Sequence, residues 1–212
     1  MLPRSPSPWL RRAAGLYLTR VLTRPLDIET PPPRRPELRY ALLAERELLD
    51  WIDDPALELQ AGQASAAYAK GDRCVGVFQA DSLVAYIWFA FGPTQHAGRV
   101  WVDVPRYARY SYKAFLRKDL RGKGLGNEIY LQAGRVCPAE GRTVGITYIL
   151  TDNVPSIRAA QKAGWRTVGY AGYLEKSDGF VAFRSPGALR AGFRFFRVGR
   201  PGPRARFVPV AR

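Results

Sequence analysis

Residues 116–126 read Leu-Arg-Lys-Asp-Leu-Arg-Gly-Lys-Gly-Leu-Gly, and this stretch decides the fold. Its pattern predicts the end of a strand, a tight turn built on three glycines, and the first turn of a helix. The unpaired N–H groups at a helix start, together with the positive end of the helix dipole, favour an anion. Arg121 and Lys123 add two full charges beside them. The stretch therefore predicts a binding site for a pyrophosphate group.

Two common phosphate-binding loops do not fit the stretch. A Walker A loop needs Ser or Thr after its Gly-Lys pair, and here Gly124 takes that place. The Rossmann fingerprint fails because its last glycine position holds Asn127. The pattern Arg-x-x-Gly-x-Gly is present at Arg121, Gly124 and Gly126, and it resembles the coenzyme A loop of the GNAT superfamily of N-acyltransferases. An ordinary glycine-rich turn with two exposed cations is the alternative interpretation of this motif alone.

A second segment strengthens the resemblance. In the GNAT family a strand ends near an Asn, and the short helix that follows closes with Lys-x-Gly and an aromatic residue. Asn153, Lys162, Gly164 and Trp165 match that spacing. The layout also has a local physical reason, because Asn can cap a helix, Pro155 suits its first turn and Gly terminates it. Two motifs in the right order are more specific than either one alone.

The resemblance covers residues 37–184 and implies an α/β (α+β) GNAT fold. That fold is a mixed, twisted sheet of about six to seven strands with helices on both faces. The predicted strands are 38–43, 73–80, 83–91, 99–104, 107–118, 143–151, 165–174 and 179–184. The predicted helices are 45–52, a second one extending to 69, one from the glycine turn to about 136, and 155–163.

The charge of the chain is concentrated in two arms. The net charge is +15, of which residues 1–36 carry +5 and residues 185–212 carry +7, while residues 37–184 carry only +3. The sequence therefore predicts a basic N-terminal extension, an acyltransferase domain and a basic C-terminal extension. Such arms suit an acidic carrier protein, an anionic membrane surface or, ranked last, nucleic acid. A solubilising tail is the alternative.

Each arm carries a further structural expectation. Residues 9–22 predict an amphipathic helix, either docked on the domain or lying at a membrane interface. Residues 31–36, Pro-Pro-Pro-Arg-Arg-Pro, predict a stiff linker. The arm 185–212 interleaves aromatic and basic residues. Packing on the domain as an added strand ranks ahead of stacking on bases or lying at a lipid interface.

Composition bounds the redox state and the location. Cys74 and Cys137 lie far apart without a neighbouring His, which predicts buried, reduced thiols and no metal site. The longest apolar run, residues 83–91, suits a buried strand and is too short to span a membrane. Arg11 and Arg12 lie where the apolar region of a signal peptide would be, which argues against export. We expect a cytoplasmic protein, free or peripheral to the inner membrane.

The GNAT resemblance implies the co-substrate site. Acetyl-CoA or a longer acyl-CoA would bind where strands 107–118 and 143–151 splay apart and admit the pantetheine arm. The N–H of Leu116 would polarise the thioester carbonyl as an oxyanion donor, and Leu116 and Lys118 would hold the pantetheine amides. Asn153 would contact the pantetheine or position a water. The implied cofactor-binding residues are Leu116, Arg117, Lys118, Arg121, Gly122, Lys123, Gly124, Leu125, Gly126, Asn127, Asn153 and Ser156.

The general acid departs from the family pattern. Many relatives carry a Tyr on the short helix, four residues before its closing glycine, and this chain has Ala160 there. Tyr170, Tyr173 or a water could take the role, or the thiolate could leave unassisted.

The general base is equally open. Asp103 and Asp152 are the best carboxylates near the predicted cleft, although each also suits a turn or a cap. His96 lies in a Pro-Thr-Gln-His-Ala-Gly segment, where a solvated loop residue is favoured over a base. The predicted catalytic groups are Asp103, Asp152, Tyr173 and the backbone N–H of Leu116.

Aromatic residues crowd the strands that border the expected acceptor cleft. They form ordinary core or line an apolar substrate tunnel. The rings are Tyr86, Trp88, Phe89, Phe91, Trp101, Tyr107, Tyr110, Tyr112 and Phe115. The predicted function is acyl transfer, acetyl first, from coenzyme A to an amine-bearing small molecule or peptide. The alternatives are a longer-chain enzyme fed by acyl carrier protein or acyl-CoA at a membrane, and a non-catalytic anion-binding module with the same fold.

Overall fold

A computed structural model describes residues 15–176 and 179–199. Its strands are β1 Leu16–Pro25, β2 Leu38–Leu43, β3 Arg73–Gln79, β4 Ser82–Ala90, β5 Thr94–Ala97, β6 Val100–Asp103, β7 Ala108–Leu116, β8 Val144–Leu150, β9 Arg166–Lys176, β10 Gly179–Arg184 and β11 Arg194–Arg197. Its helices are α1 Glu45–Leu49, α2 Ala61–Ala69, α3 Leu125–Val136, α4 Val154–Lys162 and α5 Pro186–Arg190, and short 3-10 turns cover Pro55–Leu57 and Lys118–Leu120.

Eight strands form one mixed sheet in the order β10-β9-β1-β8-β7-β4-β3-β2. Every neighbouring pair is antiparallel except β7 and β8, which run parallel. A second sheet of three strands has the order β11-β6-β5. The predicted α+β architecture is confirmed, and the main sheet has more strands than expected because β1 joins it.

The helix predicted over residues 9–22 is wrong for its described part. Residues 16–25 form β1, which pairs with β8 on one edge and with β9 on the other. Val21 and Leu22 are both fully buried, on opposite faces of this strand. Because a strand buried on both faces has no alternating pattern, its apolar residues mimic helical periodicity. Residues 9–14 lie outside the described residues.

The two faces of the main sheet carry different layers. Along β4, Ile87 and Phe89 pack in the cluster that contains α3 residues. Their neighbours Tyr86 and Trp88 pack in the cluster that contains residues of α1 and α2. This alternation is the normal consequence of successive side chains pointing to opposite faces. Helix α4 packs beside α3, whereas α5 and the small sheet join the core on the opposite face.

The C-terminal arm packs on the domain, as predicted. Strand β11 pairs antiparallel with β6, and its residue Phe195 lies opposite Val102. Phe195 is 4% exposed and contacts the ring of Tyr17 from β1. Residues 200–212 lie outside the described residues, so the expectation for that end of the arm stays a prediction.

The Pro-rich segment before β2 lies along helix α3. The backbone N–H of Arg34 donates to the buried Glu128 carboxylate at 2.9 Å, and the Gln132 side chain donates to the Pro31 carbonyl at 2.8 Å. The Arg35 guanidinium donates to the Lys123 carbonyl at 3.0 Å. The segment predicted as a linker is therefore fixed to the helix that begins at the glycine turn.

The remaining compositional expectations concern thiols, metals and membranes. Cys74 and Cys137 are both buried and both free, as predicted. Across residues 15–176 and 179–199, no three His, Cys, Asp or Glu side chains come together as a metal site. None of the helices in that part of the chain has the length and apolar character needed to cross a membrane.

Candidate active site

Strands β7 and β8 pair over only a short part of their length. The parallel register covers Ala108 to Tyr110 of β7, with Tyr110 opposite Ile146. At the next residue the Ser111 carbonyl accepts a hydrogen bond from the Thr147 side-chain hydroxyl at 2.8 Å. A side chain thus replaces the backbone partner at this point, and the strands diverge beyond it. The splayed strands implied by the family resemblance are present.

A β-bulge interrupts β7 just beyond this divergence. Trp88 lies opposite Tyr112. Two residues back along β4, Tyr86 lies opposite Phe115, which is three residues on along β7. The extra residue in β7 is accommodated by Lys113, whose φ of 47° is in the left-handed region. The bulge therefore re-aims the segment that borders the opening.

The backbone N–H and C=O of Leu116 point away from β4. The N–H of Arg117 donates to the Val84 carbonyl at 3.0 Å, which marks these two residues as a hydrogen-bonded pair of the antiparallel ladder. In such a ladder the adjacent residue directs its N–H and C=O away from the partner strand. The Leu116 carbonyl accepts a hydrogen bond from Arg121 Nε at 3.0 Å. The role of the Leu116 N–H as an oxyanion donor stays a prediction.

The glycine turn ends at the start of α3 with an open surface. Gly122 and Gly124 have φ values of 77° and 76°, which disfavour any side chain. A Cβ atom at either position would meet nothing within 4 Å, so the turn faces empty space. Within the described chain no side chain caps this helix start. Glycine is favoured at position 126 for a different reason: a Cβ atom there would lie only 3.1 Å from the Ala159 Cβ of α4.

A cleft of about 510 Å³ lies between α3, α4 and the end of β7. Nine of the twelve predicted cofactor-binding residues line it. They are Leu116, Arg121, Gly122, Gly124, Leu125, Gly126, Asn127, Asn153 and Ser156. The sequence prediction and the geometry therefore agree on where this cleft lies.

The other three predicted residues do not line the cleft. Arg117 pairs with Asp119, with 3.2 Å between the Arg117 Nε and a carboxylate oxygen. Lys118 pairs with Glu58 at 2.8 Å. The Lys123 side chain is exposed, and its carbonyl accepts from the Pro-rich segment. Any role of these three residues in binding stays a prediction.

The cleft is electropositive. Its described lining includes three cationic side chains, Arg121, Arg158 and Lys162, and no acidic one. Arg158 was not among the predicted site residues. Its signal was the four-residue spacing from Lys162, which places both side chains on one face of α4. The charge and the open amides together suit a polyanionic ligand.

Helix α4 has the predicted layout. The Asn153 side chain accepts from the Ser156 N–H at 3.3 Å, Pro155 lies in the first turn, and Gly164 ends the helix with a φ of 84°. Ala160, where many relatives carry a Tyr, is fully buried and packs in a cluster with Trp165. This position faces the core, and its alanine side chain carries no hydroxyl.

A second cavity of about 300 Å³ lies on the opposite face of the main sheet. Its walls come from α2, β5 and Trp101 of β6, and its floor from β4 and β7. Tyr112 and Lys113 line this cavity, while the next residues of β7, from Ala114 to Leu116, line the cleft. The two spaces therefore approach each other across the bulge of β7.

A buried carboxylate in this cavity was missed by sequence reasoning. Asp72 is 1% exposed and accepts hydrogen bonds from Lys70 Nζ and from the Tyr112 hydroxyl, each at 2.5 Å. Burial raises the pKa of the Asp72 carboxyl, and the two hydrogen bonds oppose that rise. Lys70 is also within hydrogen-bond distance of Thr94 Oγ1, at 3.0 Å.

The interpretation of His96 as a solvated loop residue is wrong. It lies on β5, lines the second cavity, and hydrogen-bonds through Nδ1 to the Tyr148 hydroxyl at 2.6 Å and through Nε2 to the Tyr173 hydroxyl at 3.2 Å. Its ring also contacts Tyr17 and Phe195. Burial lowers the pKa of His96 to about 4, so the imidazole is neutral at physiological pH.

The three predicted catalytic side chains lie in different surroundings. Asp103 forms an ion pair with Arg194 of β11 at 2.7 Å and lines neither space. Asp152 is exposed after β8, beside Asn153. Burial raises the pKa of Tyr173 to about 12, so this hydroxyl stays protonated and suits an acid better than a base. Their roles remain predictions.

Most of the aromatic cluster divides between the core and the two spaces, whereas Tyr107 is exposed and lines neither space. Phe89 is buried in the core with Ile87. Four of the rings line the second cavity, and one lines the cleft. The four are Tyr86, Trp88, Trp101 and Tyr112, and the fifth is Phe115.

No protein-family model matches the sequence, and no curated protein matches it. Among solved structures, a GNAT-family acetyltransferase from Colwellia psychrerythraea aligns with a TM-score of 0.53 and 11% identity, covering 81% of this chain and 57% of that one. A GCN5-related N-acetyltransferase from Sphaerobacter thermophilus aligns with a TM-score of 0.51 and 11% identity, covering 84% of this chain and 55% of that one.

A third similar structure contains the GCN5-related glucosamine N-acetyltransferase region of a fungal multi-domain β-N-acetylglucosaminidase. It aligns with a TM-score of 0.51 and 12% identity, covering 92% of this chain and 24% of that one. The chain thus spans between about a quarter and little more than half the length of these proteins. At this level of identity the likeness concerns architecture, and the architecture of this chain is the GNAT fold.

Proposed function

We propose that this protein is an N-acyltransferase that moves an acyl group from a coenzyme A thioester to an amine. The observation that carries the proposal is the glycine turn at the start of α3, which opens onto an electropositive cleft leading to the divergence of β7 and β8. Free amides and three cations suit a diphosphate. An opening between two strands suits the extended pantetheine arm of coenzyme A, whose amides resemble those of a protein backbone.

The residues of the cleft divide the binding task. The turn from Gly122 to Asn127 would hold the diphosphate through its N–H groups, with Arg121 adding charge. The outward N–H of Leu116 would donate to the thioester oxygen as that oxygen gains charge during attack. Because this donor belongs to a strand, it is held in place before the substrate arrives.

The second cavity would admit the amine. It reaches the bulge of β7 from the face opposite the cleft, so an acceptor nitrogen there could meet a thioester carbon from the other side. The cavity combines aromatic walls with Gln, Thr and charged side chains. That mixture favours a small polar amine or the end of a peptide.

Acetyl is the proposed acyl group, and a longer chain is the alternative to be tested. Carrier-protein, membrane or nucleic-acid partners would act largely through residues 1–14 and 200–212, which the structure does not describe. They stay predictions from the charge of the arms.

Calorimetric titration with coenzyme A, acetyl-CoA and a long-chain acyl-CoA tests the binding site. Arg121→Ala should weaken acetyl-CoA affinity by roughly tenfold or more, the usual cost of a lost charge-assisted contact. Arg73→Ala is the matched control, since Arg73 pairs with Glu140 and does not line the cleft, and the affinity of this variant should match that of the wild type. Equal affinity of all three proteins would contradict the assignment of the cleft.

Activity is tested by thiol release from acetyl-CoA in the presence of a panel of amines, with mass spectrometry of the product. The panel should include an amino acid, an amino sugar, a polyamine and a peptide. Asp103→Asn and Asp152→Asn belong in the same assay, because both carboxylates remain predicted bases. Tight binding of acetyl-CoA without transfer to any amine would support a non-catalytic binding module instead.

A further inference from the structure

Two side chains of the second cavity form a polar pair that the cleft does not use. Asp72 lies three residues after the end of α2, and Tyr112 lies on β7, 40 residues later. Their 2.5 Å contact joins the Tyr112 hydroxyl to the second carboxylate oxygen, since Lys70 occupies the first. Both residues line the cavity that would admit the amine. Asp72 is therefore buried and hydrogen-bonded through both carboxylate oxygens, and the pair borders the space that an occupant of the cavity would fill.

Tyr112 stands at the junction of the two spaces. It lies two residues beyond Tyr110, the last β7 residue paired with β8, and immediately before the bulge at Lys113. Its ring is fixed by stacking on Tyr110, with centroids 5.4 Å apart, and on Trp88, with centroids 6.2 Å apart. A rigid ring at this place keeps its hydroxyl close to where an amine would meet the opening.

We infer, on the basis of the proposed acyl transfer, that Tyr112 exchanges the proton of the acceptor nitrogen and that Asp72 is the positioning residue behind it. Three features support these roles: both residues line the cavity, the Tyr112 hydroxyl is hydrogen-bonded to Asp72, and Tyr112 lies beside the bulge of β7.

The proposed reaction needs no further reactant, because the proton lost by the amine is returned to the thiolate. The amine nitrogen bonds to the thioester carbon, the carbon–sulfur bond breaks, and its electron pair leaves with the sulfur. The nitrogen gives its proton to the Tyr112 oxygen while the Tyr112 proton passes to Asp72. The same path in reverse returns a proton to the thiolate. The products are an amide and a free thiol, and Asp72 is again ionised.

The surroundings of Asp72 favour this exchange. Burial raises the pKa of its carboxyl, which makes the carboxylate a stronger proton acceptor than an exposed one. Lys70 at the end of α2 holds the charged form in place. Among the described residues, the other charged or titratable groups facing the cavity or the pair are Glu58, Cys74, Tyr86, His96, Tyr110 and Lys113.

Tyr112→Phe tests the proposal, with Tyr68→Phe as the matched control. The Tyr68 hydroxyl donates to the Leu43 backbone carbonyl at 2.9 Å and lines neither the cavity nor the cleft. Tyr112→Phe should lower kcat of acetyl transfer by about 100-fold, the usual size of a general acid–base contribution. Its acetyl-CoA affinity should equal that of the wild type. Tyr68→Phe should keep kcat close to the wild-type value.

Asp72→Asn adds a readout that a purely structural role would not move. In the wild type, kcat should fall on the acid side as Asp72 gains a proton, and this limb should vanish in Asp72→Asn. Urea unfolding shows whether each variant is folded. If Asp72→Asn does not fold, the inference is judged from the kcat of Tyr112→Phe alone. Transfer by Tyr112→Phe at the wild-type rate overturns this inference alone. A wild-type protein that binds acetyl-CoA and acylates no amine overturns the proposed function with it.

Discussion

The Thr147 hydroxyl donates a 2.8 Å hydrogen bond to the Ser111 carbonyl at the point where β7 and β8 stop pairing. Thr147 is 3% exposed, so this bond is made away from water. The Thr147 side chain thus donates to the first β7 carbonyl beyond the paired part of β7 and β8. The divergence of the two strands therefore begins at a defined residue, and the opening beyond it is part of the folded sheet.

Thr147→Val should destabilise the protein by about 1–3 kcal/mol, because it leaves the buried Ser111 carbonyl without this donor. Urea unfolding measures the change in free energy. Thr167→Val is the control, since among the described residues the buried Thr167 hydroxyl has no hydrogen-bond partner. That replacement should leave the free energy of unfolding unchanged or raise it slightly. A similar decrease in the free energy of unfolding in both variants would show that the hydrogen bond to the Ser111 carbonyl does not contribute measurably to stability.

Gly124→Ala should lower both stability and affinity for acetyl-CoA. A Cβ there meets open space, so the strain comes from the φ of 76°, which costs an alanine about 1–2 kcal/mol. The same Cβ would stand on the surface offered to the diphosphate. Unfolding and calorimetric titration measure the two effects. Gly62→Ala in α2, where a Cβ also meets nothing, should not destabilise and should bind normally.

Stability should depend on pH through His96. Burial lowers its folded-state pKa to about 4, while the unfolded chain binds a proton near its ordinary value of 6.5. The unfolded state therefore holds more protons between these values, so the contribution of His96 is complete above pH 6.5 and is lost as pH falls toward 4. Urea midpoints measured across this window should fall with pH.

His96→Gln provides the control for this titration, because His96 is the only histidine of the chain. The variant should be less stable at neutral pH, since it loses ring contacts with Tyr17 and Phe195. Its stability should nevertheless change less between pH 6.5 and 5 than that of the wild type. Parallel curves for the two proteins would mean that His96 titrates as an exposed residue.

Elements set by local signals could be predicted from the sequence. Strands β2 and β10 have the predicted bounds, and the cap at Asn153, the Pro in the first turn and the terminal Gly164 placed α4 to within a residue. The glycine turn placed α3, and most of the cleft followed from it. In each case the deciding interaction joins residues close together in the chain.

The features that sequence reasoning missed depend on distant partners. Strand β1 is buried on both faces only because β8 and β9 lie beside it, and no local pattern reveals that. Asp72 and Tyr112 are 40 residues apart, and His96 and Tyr173 are 77 apart. A lone Asp after a helix and a lone His near a turn acquire meaning only when the sheet brings their partners to them.

The place of β1 in the sheet has a consequence for how the protein is made. Its partners in β8 and β9 leave the ribosome long after it does, since Thr19 pairs with Leu150 and with Ala171. The interior of the sheet thus closes only near the end of synthesis, at the entropic cost of a long loop. A protein from which residues 1–36 were removed would lack an interior strand rather than a tail. The edges of β8 and β9 that normally pair with β1 would then be open to other chains.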